Sequence, residues 1–177
     1  ALGAALGRQD RALALADLYD GKVDALATRV ARIAQRPSAY VELGTGGPQS
    51  IGNTYAGTMW GRMIELAGGR NIAEGRIRPG WAPLPPETVL ADPPAHVFLI
   101  GATWNDRPSS VRAGYGVTEA EARASIAPYA QRAGWPALPA LRGRRVAVLE
   151  SGLARSLMDW IGMQFMAGHA NDGTLLR

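Results

Sequence analysis

The sequence predicts an α/β fold, a three-layer α/β/α sandwich with a mostly parallel sheet, preceded by a long linking helix. Two observations predict it. "SAYVEL" is short and strand-like, and "HVFLIG" and "RRVAVLE" hold continuous apolar runs of the kind that fill buried strands. The segments around them carry apolar residues at helical spacing, and strands alternating with helices imply parallel pairing under helices on both faces. At 177 residues, 47% hydrophobic and 19% charged, the chain has apolar material for one real core. In this reading residues 1–36 are the linking helix and residues 37–177 the lobe.

From Leu6 to Gln35 the residues Leu15, Leu18, Lys22 or Val23, Leu26, Val30 and Ile33 recur at helical spacing, with Arg and Asp opposite. This is a long helix, relaxed at Gly21. Arg36-Pro37 ends it, because the residue before a proline is pushed out of the helical region. "SAYVEL" then enters the glycine-rich loop "GTGGPQSIGN". Asn53 or Thr54 caps a helix with Tyr55, Met59, Met63 and Leu66 on one stripe, stopped by Gly68-Gly69. Residues 75–94 are rich in proline and glycine and should wrap over the surface, with a helical turn at "PPETVLA". "HVFLIG" leads into the polar, aromatic loop "ATWNDRPSSVRAGYG". Thr118 with Glu121 makes a capping box for a helix to about Arg132. "RRVAVLE" is followed by the loop "SGLARS" and by the closing helix "SLMDWIGMQFMAGHA", with Leu157, Trp160, Ile161 and Phe165 inward.

Composition removes several classes. The net charge of +4 rests almost wholly on arginine, Lys22 being the only lysine, and the arginines are scattered among acids. A nucleic-acid interface would cluster them on one face. Without cysteine there is no disulfide framework, thiolate metal site or thiol nucleophile. No stretch approaches the roughly 20 apolar residues of a membrane span. The chain opens at Ala1 with neither an initiating methionine nor a signal-type region, so a mature or truncated product is expected.

The glycine-rich loop is not a phosphate cradle. A nucleotide site needs G-x-x-x-x-G-K-[ST], or G-x-G-x-x-G with an acidic ribose partner about 20 residues on. Here Gly44, Gly46 and Gly47 are followed by Pro48 and Gln49, with no lysine after the turn. In open parallel sheets ligands meet the loops at the carboxyl ends of the strands, which here are residues 43–53, 102–116 and 150–156. The second loop gathers Trp104, Asn105, Asp106, Arg107, Arg112 and Tyr115. Arg155 in the third could offer a forked pair of hydrogen bonds to an anionic ligand, or pair with Asp159 one turn on. Groups suited to catalysis are scarce. His96 and His169 have no partner at metal-ligand spacing and read as structural histidines, and no G-x-S-x-G elbow exists. Glu42 and Glu150, near the ends of two strands, are the one conceivable acid/base pair.

The order of segments resembles the carboxyl-terminal half of ABC-transporter substrate-binding proteins of the long-helix type. The residues that carry the resemblance are Gly68-Gly69-Arg70-Asn71, the segment from Glu87 through His96-Val97, and the segment from Gly134-Trp135 through Arg145-Val146. The family's Pro-Asp reads Pro93-Pro94-Ala95-His96 here. That family delivers iron–siderophore complexes, haem, cobalamin, molybdate or bare metal ions to a membrane permease. The resemblance implies an extracytoplasmic, periplasmic location, no cofactor, and a missing amino-terminal lobe. It places Glu87 on the outer surface, docking into a basic pocket of the permease. It turns Gly46, Gln49 and Tyr55, Trp104, Arg107 and Arg112, and Arg155 and Trp160 toward the ligand cleft. Aromatics with arginines suit a bulky anionic chelate, where flat faces stack and guanidinium forks neutralise charge.

The expected function is therefore capture of a metal chelate or an oxyanion such as molybdate, without bond-making. Two alternatives stand beside it. One is a doubly wound enzyme using Glu42 and Glu150 or the loop arginines for acid/base or phosphate chemistry. The other is a ligand-free interaction domain that associates through its long helix, whose apolar stripe would be bare without a partner lobe.

Overall fold

A computed structural model describes residues 2–170. The chain begins with a short helix α1 (Leu2–Ala5) and the long helix α2 (Gln9–Val30). The break between them is at Gly7, with φ +61°, and α2 runs through Gly21 without interruption. It stops at Val30, five residues short of the predicted end. There Val30 and Ile33 turn onto Gly68, where an added Cβ would come within 2.7 Å of Ile33 Cδ1. That docking ends the helix before Pro37 can.

The strands are β1 (Ser38–Leu43), β2 (Asn53–Ala56), β3 (Arg70–Asn71), β4 (Gly80–Pro83), β5 (His96–Gly101) and β6 (Val146–Glu150). Four of them form a parallel sheet in the order β3-β1-β5-β6. The three predicted strands are its centre and one edge. β2 and β4 make a separate antiparallel ribbon. The helix predicted from Asn53 is thus corrected: residues 53–56 are extended, and α3 (Met59–Leu66) starts only after Gly57, whose φ of +65° ends the strand. Helices α4 (Pro86–Ala91), α5 (Glu119–Ile126), α6 (Pro139–Arg142) and α7 (Asp159–Ala170) complete the chain. Thr118 caps α5 in the predicted box, its side chain accepting from the Glu121 amide while Glu121 accepts from the Thr118 amide. Past Ile126 the helix tightens into 3-10 turns over 127–131, where Pro128 cannot donate a backbone bond.

Side-chain parity divides the core into two layers, as a pleated sheet requires. Ala39, Val41, Phe98, Ile100, Ala147 and Leu149 face α2, α3 and α7, meeting Leu26, Trp60, Met63, Ile64, Met163 and Met166. Tyr40, Val97 and Leu99 face the other way, toward α4, α6 and the 3-10 turns, meeting Val89, Tyr129, Trp135, Leu138 and Ala140. The architecture is the predicted α/β/α sandwich. The inward face of α7 differs from the prediction. Gly162, Met163, Met166, Ala167 and Gly168 are buried, while Leu157, Ile161 and Phe165 are exposed and Trp160 is half-buried. A Cβ on Gly162 would lie 2.7 Å from Met63 Cε, so the small residues are what let α7 approach α3.

Candidate functional site

Because β1, β5 and β6 are adjacent and parallel, their carboxyl ends share one edge, and the loops that leave them converge there. Backbone hydrogen bonds knit them together. Val111 donates to Gly44 O at 2.9 Å, Ala102 to Val111 O at 3.2 Å, and Ser151 to Gly101 O at 2.8 Å. Gly47 has φ +73°, and a Cβ there would sit 2.6 Å from Ser109 O, so the first and second loops touch through a glycine. Gly52, at φ +90°, lies against Leu84 O. The Gly52 carbonyl in turn accepts from the Leu84 amide at 2.8 Å, which ties the first loop to the chain entering α4.

The predicted site residues separate into groups. Gly46 and Gln49 are exposed on the first loop. Trp104 is half-buried and its carbonyl accepts from Arg112 Nη1 at 3.3 Å, which folds the second loop over itself. The Arg112 amide is held by Ser125 Oγ at 2.9 Å, while Arg107 is exposed with only its neighbour Asp106 at 3.8 Å. Arg155 closes the 3-10 turn Leu153–Arg155 and is exposed. The pair with Asp159 does not form: Asp159 accepts from the Tyr19 hydroxyl at 3.3 Å, and no ion pair of Arg155 occurs among the described residues. Tyr115, fully exposed at the tip of the second loop, joins this edge.

Two expected residues are corrected. Tyr55 is buried on β2 within the core, and its carbonyl accepts from Asn71 Nδ2 at the opposite end of the sheet. Alternation along β2 turns its ring inward, so it cannot face the cleft. Trp160 packs its half-buried ring against the core under Lys22, whose Nζ lies 5.3 Å from the ring centroid. It stands beneath the edge, against α2. Glu87 is exposed in the first turn of α4.

Glu42 is no free acid. It is fully buried, and Arg132 grips it with Nη2 at 2.7 Å from Oε1 and Nη1 at 3.0 Å from Oε2. The Tyr40 hydroxyl also donates to Oε2 at 2.8 Å, and burial followed by the Glu42 charge pushes that phenol well above its ordinary pKa. Glu150 is spoken for locally, accepting from the Gly152 amide at 2.7 Å. The two carboxylates therefore do not form an acid/base couple. The sequence reading passed over Arg132, and its one local signal was the flanking pair Tyr129 and Trp135. His96 and His169, distant in sequence, meet at the far end of the sheet with their Nδ1 atoms 3.2 Å apart. Among the described residues no group of three or more His, Cys, Asp or Glu is placed to hold a metal ion.

The long helix completes the geometry. Tyr19 contacts Asp159 beside the loop edge, whereas Val30 and Ile33 reach Gly68 at the opposite end. The ten residues of α2 before Tyr19, about 15 Å of helix, thus continue past that contact as an overhang whose only neighbours among the residues lining one groove are α1 and Leu157. Leu13 and Leu18 on this overhang are 56% and 53% exposed, an apolar surface open to solvent.

A parallel sheet under helices, three loops at the carboxyl ends of adjacent strands, and a long helix packed beside the third of them describe the class of fold. The sequence profile of the family described as Periplasmic binding protein matches residues 1–153, and the chain belongs to that family. Membership in a family of binding proteins sets the enzyme alternative aside. Among solved structures, the TroA-like periplasmic binding protein FepB from Veillonella parvula is similar at 30% identity and TM-score 0.90, over 97% of this chain and 50% of that one. The haem complex of IsdE from S. aureus is similar at 15% identity and TM-score 0.69, over 96% of this chain and 60% of that one. An Fe3+-hydroxamate transport protein from Saccharomonospora viridis is similar at 20% identity and TM-score 0.69, over 95% and 52%. The chain thus spans half to three fifths of the length of these structures. The latter two likenesses show the fold alone. No curated protein matches the chain.

Proposed function

We propose that this chain is the carboxyl-terminal lobe of an extracytoplasmic, periplasmic receptor that captures an anionic metal chelate and hands it to an ABC permease. What supports the reading is that the loops carrying Trp104, Arg107, Arg112 and Tyr115 and carrying Arg155 leave the carboxyl ends of the adjacent strands β5 and β6, while Glu42 at the end of β1 is paired internally with Arg132. Flat rings and forked cations suit an iron–siderophore, haem or cobalamin better than a small oxyanion such as molybdate, which is held mainly by backbone amides. The solved haem and hydroxamate proteins of the same fold support that ligand class. The overhang of α2 supports a second lobe beyond the edge, with residues 1–36 as the link. Glu87, exposed on α4, is the residue assigned to the permease, where a carboxylate offered to arginines gives register more than raw affinity.

Thermal unfolding in the presence of haemin, a ferric hydroxamate, cobalamin and molybdate tests the reading. A ligand at 100 times its dissociation constant adds about 2.7 kcal/mol of stability. A shift with a chelate is expected; a shift with nucleotides alone contradicts the reading.

The overhang favours one addition. Leu2, Leu6, Leu15 and Leu157 line a groove of about 450 Å³ between α1, the start of α2 and the third loop. With this surface bare, the lobe should pair with itself through the long helix. Light scattering should report a dimer at tens of micromolar protein, and a strict monomer rejects self-association.

A further inference from the structure

The glycine-rich first loop contains few side chains that could hold its shape, yet two of its carbonyls and the carboxylate that precedes it accept four hydrogen bonds from one residue in a distant part of the chain. Arg132 Nε donates to Pro48 O at 2.6 Å and Nη2 to Ser50 O at 3.4 Å, while both terminal nitrogens reach the Glu42 carboxylate. The guanidinium lies 4.2 Å from the Tyr129 ring centroid and 4.4 Å from that of Trp135, so its plane cannot swing away. The Arg132 side chain is only 4% exposed and that of Glu42 is wholly buried. The Gly52 amide approaches Glu42 Oε2 at 3.5 Å and closes the far end of the loop onto the same carboxylate.

We propose that Arg132 is a positioning residue for ligand capture, clamping the loop of residues 47–52 to the end of β1 so that Gly46 and Gln49 are presented in one fixed shape. The proposal rests on the reading that this loop faces the solute. Loop carbonyls in a glycine-rich turn would otherwise be free to exchange between conformations, and a receptor loop that must order on binding loses affinity in proportion. Arginine suits the task because its planar fork can serve a carboxylate and a carbonyl at once, whereas lysine offers one point charge.

The Arg132→Lys variant separates holding the loop from merely pairing the buried charge. It keeps a cation beside Glu42 and loses the second arm to Pro48. Hydrogen exchange of the ligand-free protein should show amides of residues 47–52 exchanging at least tenfold faster while those of β5 keep their protection. Haemin and a ferric hydroxamate, titrated against wild type and variant, should bind the variant at least tenfold more weakly with the same bound-state absorption spectrum. If Arg132→Lys does not fold, the double variant Glu42→Gln with Arg132→Met, which leaves no buried charge unpaired, is read in the same way. Unchanged exchange in the loop overturns the clamp, and altered exchange with unchanged affinity overturns its role in capture. If the wild type itself binds neither probe, the receptor reading falls, and the exchange data still decide whether Arg132 orders the loop.

Discussion

Arg132 and Arg155 stand close to the same sheet edge, and the fold treats them in opposite ways. Arg132 is drawn beneath the loops, stacked on two rings and bonded to a buried carboxylate and to two carbonyls. Arg155 is left on the surface without an ion pair among the described residues, and Arg107 and Arg112 on the neighbouring loop touch a sequence neighbour, Asp106 at 3.8 Å, and the Trp104 carbonyl. In a chain whose positive charge is nearly all arginine, identity says little. What each guanidinium touches separates those that belong to the architecture from those left at the surface, which the proposal assigns to a ligand.

The sharpest way to break this comparison is to remove the architectural member. Arg132→Ala leaves the Glu42 carboxylate buried without a counter-charge and should cost about 3–5 kcal/mol, read from urea unfolding. A loss below about 1 kcal/mol would mean that the pair is solvated in solution and the contrast is false. Gly47→Ala is the next largest. A side chain at φ +73° with Ser109 O in its path should cost about 1–3 kcal/mol and loosen the junction of the first two loops. Denaturation midpoints equal to wild type would show that the loops are not in contact.

At the ligand edge the expectation reverses. The triple replacement of Arg107, Arg112 and Arg155 by alanine should leave unfolding within about 1 kcal/mol of wild type, since Arg107 and Arg155 are exposed and half-buried Arg112 gives up a single bond to the Trp104 carbonyl, while abolishing the chelate-induced shift. The smallest effect tests a third kind of arginine. Arg70 and Arg76 hold Asp92 at 2.8 and 2.9 Å on the surface, and the bonds from Arg70 keep its carboxyl below the ordinary value. A depressed acid contributes stability above its unfolded pKa of about 3.9 and loses it as pH falls through the folded value. Asp92→Asn should therefore cost at most about 1 kcal/mol at pH 7, with the difference shrinking below about pH 4. A difference that is flat from pH 7 to pH 2 would deny the linkage.

The sequence made the sheet legible because buried parallel strands need uninterrupted apolar runs, and residues 38–43, 96–101 and 146–150 could do little else. Polarity along those strands then located the three loops. The β2–β4 ribbon stayed hidden because Tyr55, Met59, Met63 and Leu66 fit a helical stripe as well as they fit a strand followed by a shorter helix. The orientation of α7 was equally opaque. With large apolar residues on all sides, its periodicity does not choose a face, and the buried face is the one on which Gly162 permits close approach to Met63. Arg132 was invisible for a different reason: its partner lies 90 residues away, and only tertiary packing brings the two together. Tyr55 and Trp160 were misplaced by the same errors of register and face.

Titration of intrinsic tryptophan fluorescence with haemin and a ferric hydroxamate, carried out side by side on the wild type and on the Arg107, Arg112, Arg155 triple alanine variant, tests the central assignment most directly. Saturable quenching by at least one chelate in the wild type, lost in a variant that unfolds at the same urea concentration, is the predicted result. Equal affinity in both proteins, or no saturable binding of either chelate by the wild type, would contradict it.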